Sequence, residues 1–297
     1  MTRSRRADLL SVLERLGKSG ISATDISSQY WCERQMELNY IHGARITAEI
    51  KKGKAVHEQM EQETNVPIVL MPKSYPDFLY KDLYIGNAAL DNLFTNKKTR
   101  EIKLYGSLNG FRFSGKIDQL DIKGDEVVIT EDKTKASDNL PSEPQLLTHK
   151  VQVMLYRKML DDLSKSLYTS TNFKRAYRTT LMKLTPEFIR QLDALNVEKD
   201  LQSIDIIADK FFGAFTKINK ISNNLHIRYT NQYTGKEIKL YKFDYNEKEM
   251  QDIITFVLKY WNGERESLPV PEDEKWKCNY CVFFGKECRV WWPQKGL

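Results

Sequence analysis

Apolar and polar positions change their period several times along the chain. Residues 101–108, 111–122 and 126–133 are short runs rich in β-branched and aromatic residues, the pattern of strands. Longer stretches repeat apolar positions at three- and four-residue spacing, so 25–41, 47–63, 82–94, 144–163, 186–195, 200–220 and 246–262 read as helices. Ser22 with Asp25 has the form of a capping box that opens the first of them. Residues 176–184 read as a further strand and 225–243 as a hairpin turning at Thr234 and Gly235. Beyond about 262 the chain becomes a loop-rich tail. Helices interleaved with a small group of strands predict an α/β fold, a mixed central sheet flanked by helices.

One hairpin carries candidate chemistry. Lys123-Gly124-Asp125-Glu126 is a turn signal, and Gly124 suits the first central position of a two-residue II′ turn. That register sets Asp118 opposite Glu131, on one face and about 5 Å apart at Cβ. Alternation along the strand adds Lys133 to that face and turns the Asp132 side chain away. Two carboxylates this close repel unless a cation lies between them, and a hard divalent ion such as Mg²⁺ or Mn²⁺ takes oxygen ligands. A lysine beside them can orient a water or neutralise a phosphate, the logic of metal-assisted phosphodiester hydrolysis. The same residues also suit an exposed hairpin laced by ion pairs. His57 and Glu61 share a face of the helix at 47–63, and a neutral imidazole is a further candidate metal ligand. Gln152 and Tyr156 share a face of the helix at 144–163.

Composition narrows the class without deciding it. The chain has 297 residues, 41% hydrophobic and 29% charged, with a net charge of +6. That is enough for one large domain, read here as residues 21–297 behind an N-terminal extension, 1–20. No apolar run is long enough for a transmembrane helix. Arg3, Arg5 and Arg6 open the chain, but Asp8 and Glu14 follow and no organelle presequence is expected. The protein is expected to be intracellular, with cytoplasm, nucleus and mitochondrion all open. Basic residues cluster at 51–54, 97–103 and 173–178, a charge balance compatible with a nucleic-acid partner. Aromatic residues beside basic ones, at 173–177 and 226–233, are candidates for stacking on bases. A nucleotide-binding P-loop is absent, so no ATP-driven motor is expected within this chain.

The four cysteines are Cys32, Cys278, Cys281 and Cys288. With no secretory signal a disulfide framework is not expected. Four thiolates suit either zinc or a [4Fe–4S] cluster, and the spacing alone leaves both open.

In chain order these residues form a pattern: Gly53 and His57 (G-x-x-x-H), Gly115 and Asp118 (G-x-x-D), Glu131, Lys133 and Thr134 (E-x-K-T), and Gln152 and Tyr156 (Q-x-x-x-Y). The order and separation resemble the RecB-type branch of the PD-(D/E)XK nucleases. One cysteine before the motifs and three after resembles its iron–sulfur subset. Within that subset the stretches around Cys32 and Cys278 look most like the exonuclease V family, over roughly residues 20–290. The resemblance implies a restriction-endonuclease-like core, with His57, Asp118 and Glu131 as metal ligands. It implies Lys133 as the catalytic lysine, with Gln152 and Tyr156 as organisers near the DNA. It also implies a [4Fe–4S] cluster on the four cysteines, joining the N-terminal helix to a segment at about 270–297. The position after Glu131 is usually apolar in that family, whereas here it is Asp132, whose backbone carbonyl is the further metal ligand the resemblance leaves for this position. The function expected is a metal-dependent single-strand DNA exonuclease releasing short oligonucleotides, in repair, recombination or replication. The partners expected are single-stranded DNA and a single-strand-binding protein, with the chain a monomer. Two other readings stand beside it: an endonuclease or CRISPR-type spacer-processing nuclease on the same core, and a non-catalytic nucleic-acid-binding module with a zinc clamp.

Overall fold

A six-stranded mixed sheet organises the molecule in the computed structural model, which describes residues 11–291. Strands β2 (Lys98–Leu108), β3 (Phe111–Lys123) and β4 (Glu126–Lys135) form an antiparallel meander. Both of its turns follow from two-residue loops that need left-handed backbone. Asn109 and Gly110 join β2 to β3 with φ 48° and 84°, and Gly124 opens the β3–β4 turn at φ 63°. The second turn sets the register expected from sequence, from Lys123 opposite Glu126 to Gln119 opposite Thr130. Beyond β4 the sheet continues through β5 (Asn224–Asn231), parallel to β4, and β6 (Glu237–Asp244), antiparallel to β5. The short β1 (Ile21–Ser22) pairs in parallel with Phe113 and Ser114 of β3.

Helices flank this sheet. Ser22 and Asp25 close the expected capping box at the start of α2 (Ala23–His42). Helix α3 (Ala48–Gln62) carries the first motif, and α4 (Tyr75–Asn96) packs on β2. Helix α4 starts nearly two turns earlier than its apolar pattern suggests, because Ser74 and Asp77 cap it. Helix α5 (Glu143–Ser164) packs against α2 and the sheet, and α9 (Glu247–Trp261) packs against α5. The apolar faces of these elements, with α7 (Pro186–Ala194) and α8 (Ile204–Phe215), bury one continuous core. Of the 1–20 extension, residues 1–10 lie outside the described residues. From Ser11 the chain forms the short helix α1 (Val12–Arg15) and buries Val12 and Leu16 in the core. No helix among the described residues is long and apolar enough to cross a membrane.

Two expectations are corrected. Residues 176–184 are not a strand: the chain forms α6 (Ser170–Tyr177), then a 3-10 turn at Thr179–Leu181. The β-branched pair at 179 and 180 favours a strand locally, but Phe173 and Tyr177 pack their rings on Tyr105, at centroid distances of 4.9 and 5.7 Å. That tertiary contact overrides a weak local preference. It also buries Phe173, which takes that ring out of base stacking, and leaves Tyr177 half-buried. In the 226–233 stretch Tyr229 is likewise buried, and Tyr233 alone of its two tyrosines stays exposed, at 66%.

A candidate active site where two strands part

The antiparallel pairing of β3 and β4 stops at Gln119 and Thr130. One step further on, Asp118 and Glu131 stand where the strands separate. Parting leaves the backbone N–H of Asp132 without a strand partner, and the Asp118 carboxylate takes its place: Oδ2 accepts from that N–H at 2.8 Å. Lys133 donates from Nζ to Glu131 Oε1 at 2.6 Å and to Gln152 Oε1 at 3.0 Å. Gln152 in turn donates from Nε2 to the Tyr156 hydroxyl at 2.7 Å. His57, on α3, stands with Nδ1 3.7 Å from Asp118 Oδ1. The structure therefore brings His57, Asp118, Glu131, Lys133, Gln152 and Tyr156 together from four separate elements. They line an open cleft of about 1080 Å³.

Two motif glycines explain how the elements come so close. A Cβ on Gly53 would lie 2.6 Å from Thr134 Oγ1, so α3 can rest on the end of β4 only without a side chain there. One turn later the helix presents His57. A Cβ on Gly115 would lie 2.8 Å from Cε1 of the Tyr156 ring, which occupies that space instead. Each glycine is needed for a close approach, not for an unusual backbone angle.

Burial and like charge set the electrostatics of the cleft. Burial raises the Asp118 carboxyl above the usual range. Glu131 is raised well above it, first by burial and then by the charge of Asp118. Its Oε2 is buried with no hydrogen-bond partner. An orphaned, desolvated carboxylate oxygen beside a second carboxylate fits a divalent ion in need of oxygen ligands. Burial works against the Lys133 ammonium, but Glu131 and Asp118 outweigh it and raise its pKa, so this lysine stays protonated.

Asp132 is the departure from the expected ligand set. Its side chain points away from the other carboxylates and is 2% exposed. Arg100 Nη2 donates to Oδ2 at 2.6 Å, and Arg228 donates to Oδ1 at 2.6 Å and to Oδ2 at 2.9 Å. Both guanidiniums also donate to Gln119 Oε1. With its carboxylate consumed this way, Asp132 has only its backbone to offer a metal. Among the lysines of the 51–54 cluster, Lys54 lines the cleft, joined there by Lys103, Lys116 and Lys133.

Sequence reasoning missed Glu101. Arg100 pairs with Gln119 and Ile102 with Ile117, so Glu101 falls opposite Asp118. Its φ is 58°, a left-handed backbone inside a strand, which costs a non-glycine residue roughly 1–2 kcal/mol. The Asn109-Gly110 turn is the signal that could have found it, since that turn fixes the register of β2 on β3.

The four cysteines also converge. Cys32, Cys278, Cys281 and Cys288, all unbridged, line one small apolar cavity with Trp31, Val270 and Trp291. Helix α2 breaks at Cys32, whose backbone is extended at φ −168° and ψ 110°. The tail satisfies the backbone groups released there. Arg34 N–H donates to Leu268 O at 2.9 Å, and Lys277 Nζ donates to Trp31 O at 3.1 Å. Glu33 adds an ion pair with Arg265 and accepts the Leu268 N–H at 2.7 Å. Burial, with smaller contributions from Cys281 and Cys288, pushes the Cys32 thiol up to about 11.

Buried carboxylates and a charged lysine at the ends of splayed strands, over an open cleft, form a donor set of the hydrolase class. The comparisons with known proteins agree. The family described as "Exonuclease V - a 5' deoxyribonuclease" matches residues 10–126, 121–210 and 199–292. The chain belongs to the exonuclease V family. Exonuclease V of the zebrafish, Danio rerio, is 25% identical over 296 residues, covering 95% of this chain and 73% of that protein. The crystal structure of SSO0001 aligns over 92% of this chain and 89% of its own, at 12% identity and a TM-score of 0.41, too distant a likeness to bear on function.

Proposed function

We propose that this protein is a divalent-metal-dependent exonuclease of PD-(D/E)XK type, acting on single-stranded DNA from its 5′ end. The family match supports a 5′ deoxyribonuclease. The observation that carries the metal-dependent reading is the Glu131–Lys133–Gln152 chain of hydrogen bonds beside Asp118 in one cleft. Asp118 and Glu131 would hold the ion, with His57 and the Asp132 carbonyl close by. A divalent ion bound there supplies Lewis acidity to the scissile phosphate.

The remaining work belongs to the side chains. Lys133, kept protonated by its carboxylate neighbours, offers positive charge where negative charge develops on the phosphate, rather than acting as a base. Gln152 and Tyr156 fix the lysine's rotamer, so it is aimed before substrate arrives. Lys54, Lys103 and Lys116 stand on the cleft wall among more numerous carboxylates, and a divalent ion held by those carboxylates would tip the balance toward a phosphate backbone.

The cysteine cavity supports a [4Fe–4S] cluster over a zinc clamp. A Zn–S bond of about 2.3 Å brings the four sulfurs of a tetrahedral site within about 4 Å of one another. Among the described residues, the group of three candidate ligands within 4.8 Å of one another is His57, Glu101 and Asp118, not the cysteines. The four thiols converging from α2 and the tail, as in the iron–sulfur subset, favour the cluster. Held there, it would lock the broken helix α2 to the tail.

The deciding assay follows 5′-labelled linear single strands and internally labelled circular ones, with and without Mg²⁺. Degradation of linear strands alone, lost in Glu131→Gln, is expected. Cleavage of circles would favour an endonuclease, and no cleavage with retained binding a non-catalytic module. Anaerobic preparations should be brown and hold about four irons per chain; zinc without iron would overturn the cluster.

A further inference from the structure

Gln232 lines the cleft beside Ala136, just past the ends of β5 and β4. Main-chain bonds fix where it sits. Its N–H donates to Lys135 O at 2.9 Å, which carries the parallel pairing of β4 and β5 one bond further. The residue before it closes the turn. Asn231 Oδ1 accepts from the backbone N–H groups of Tyr233 and Thr234 at 2.9 and 3.1 Å, and its Nδ2 donates to Asp138 Oδ1 at 2.6 Å. Two carboxamides therefore stand next to each other in the chain, Asn231 8% and Gln232 5% exposed. That of Asn231 is engaged at both ends. That of Gln232 is not, for its Nε2 is buried without a hydrogen-bond partner. A buried donor left unpaired costs the fold free energy, and native proteins keep few of them without a functional reason.

We propose that Gln232 is a substrate-binding residue, whose amide donates to a phosphate oxygen of the DNA strand one nucleotide along from the phosphate at Lys133. The inference rests on the reading of the cleft as a single-strand DNA site. Lys133 and Lys135 are two residues apart on β4, roughly 7 Å, and Gln232 is tied to Lys135. That distance is of the order of one step of an extended strand laid along β4. Rotation about the last torsion of the side chain, which is soft, brings the amide from its buried position to the cleft. The neighbours favour phosphate over a base edge. Thr134 and Ala136, which line the cleft between Lys133 and Gln232, offer no flat ring on which a base would stack. Among the carboxylates of the cleft, a neutral donor positions a phosphate without adding charge, and contacts of this kind set the register of a strand.

The test measures binding of 3′-labelled oligo(dT) and oligo(dA) by fluorescence anisotropy in Mg²⁺, in a Glu131→Gln background where strands are held but not degraded. Gln232→Met keeps the length of the side chain and removes its amide. It should weaken both oligonucleotides alike, about tenfold. The slope of log affinity against log salt should not change, because a neutral donor displaces no counterion. The melting temperature of the DNA-free protein should rise by about 2 °C, since an unpaired donor is lost. Gln232→Glu is nearly isosteric and sets a negative charge against the phosphate. It should weaken binding further, and it serves if Gln232→Met does not fold. A single uncharged methylphosphonate linkage, moved stepwise from the 5′ end of oligo(dT), should at one position cost less affinity in Gln232→Met than in its parent. A lower melting temperature with affinity unchanged would overturn the contact and return Gln232 to the fold. A loss confined to one of the two bases would overturn the phosphate assignment. Failure of the Glu131→Gln parent to bind either strand would overturn the cleft as a DNA site, and the contact with it.

Discussion

Asp118 accepts the backbone N–H of Asp132 at 2.8 Å, although the two carboxylates face opposite sides of the sheet. The bond ties a candidate ligand to the strand that carries Glu131 and Lys133. It survives if the carboxylate becomes an amide, because an amide oxygen still accepts. Asp118→Asn should therefore keep the fold and relieve repulsion with Glu131 and Glu101. The metal-depleted variant should be more stable than native by on the order of 1 kcal/mol, with nuclease activity lost and the thermal shift on adding Mg²⁺ reduced. Calorimetry with and without Mg²⁺ measures both. A less stable apoprotein would show that the site carries no stored repulsion.

Asp132 should fail differently. Its charge is buried against Arg100 and Arg228, and removing one member of such a group leaves the others uncompensated. Asp132→Ala is expected to cost about 3–5 kcal/mol of stability. Urea denaturation should show the loss, and residual activity should track the folded fraction. A stable but inactive Asp132→Ala would return its side chain to the chemistry.

Gly53→Ala places a methyl against Thr134 Oγ1. It should push α3 off the end of β4, withdraw His57 and weaken Mn²⁺ binding. Thr134→Ala removes the obstructing oxygen, so the double variant should recover much of the binding that Gly53→Ala loses. Such coupling is expected of residues in contact. A double variant no better than Gly53→Ala alone would place the role of Gly53 elsewhere.

His149 offers a pH test. Its Nδ1 lies 2.6 Å from the Tyr229 hydroxyl, and burial, then Lys133 and Lys135, pushes its pKa down to about 2. A histidine depressed from an unfolded value of about 6.5 binds a proton more readily when unfolded. Its contribution to stability is complete above that value and falls away as pH drops toward the folded one. His149→Gln keeps an acceptor for Tyr229 and removes the titration. The acid side of the stability curve should be flatter by up to about 1.4 kcal/mol per pH unit, measured by urea unfolding from pH 7 to pH 4. Parallel curves for the two proteins would mean that His149 is protonated in the fold.

Much of the site was legible because it is local. Gly124 fixes a two-residue turn, the turn fixes the register, and the register brings Asp118 to Glu131. The i, i+4 spacing of Gln152 and Tyr156 places both on one helical face, and their hydrogen bond follows. What was not legible depends on distant partners. Arg228, which takes up the Asp132 carboxylate, comes from a strand nearly a hundred residues away. Residues 176–184 look like a strand until Tyr105 supplies a surface for Phe173 and Tyr177 at the end of α6. Cys32 sits in an unbroken helical pattern, and the break there exists because the tail provides the missing hydrogen-bond partners. Glu101 could be reached from the Asn109-Gly110 turn, but its left-handed backbone leaves no mark in the residue type.

The strand separation just past Gln119 and Thr130 has a mechanical consequence. Inside that pair the two strands are riveted by backbone hydrogen bonds, and beyond it they are joined mainly through one side chain, Asp118. Each arm of the fork is held on its outer side, β3 by β2 and β4 by β5, so Asp118 and Glu131 stand at the mouth of a rigid notch. A notch of fixed width would discriminate between ions by radius. A change in the bulk of Leu120 or Ile129, one rung behind the split and fully buried, should therefore alter that width before it is felt in the fold.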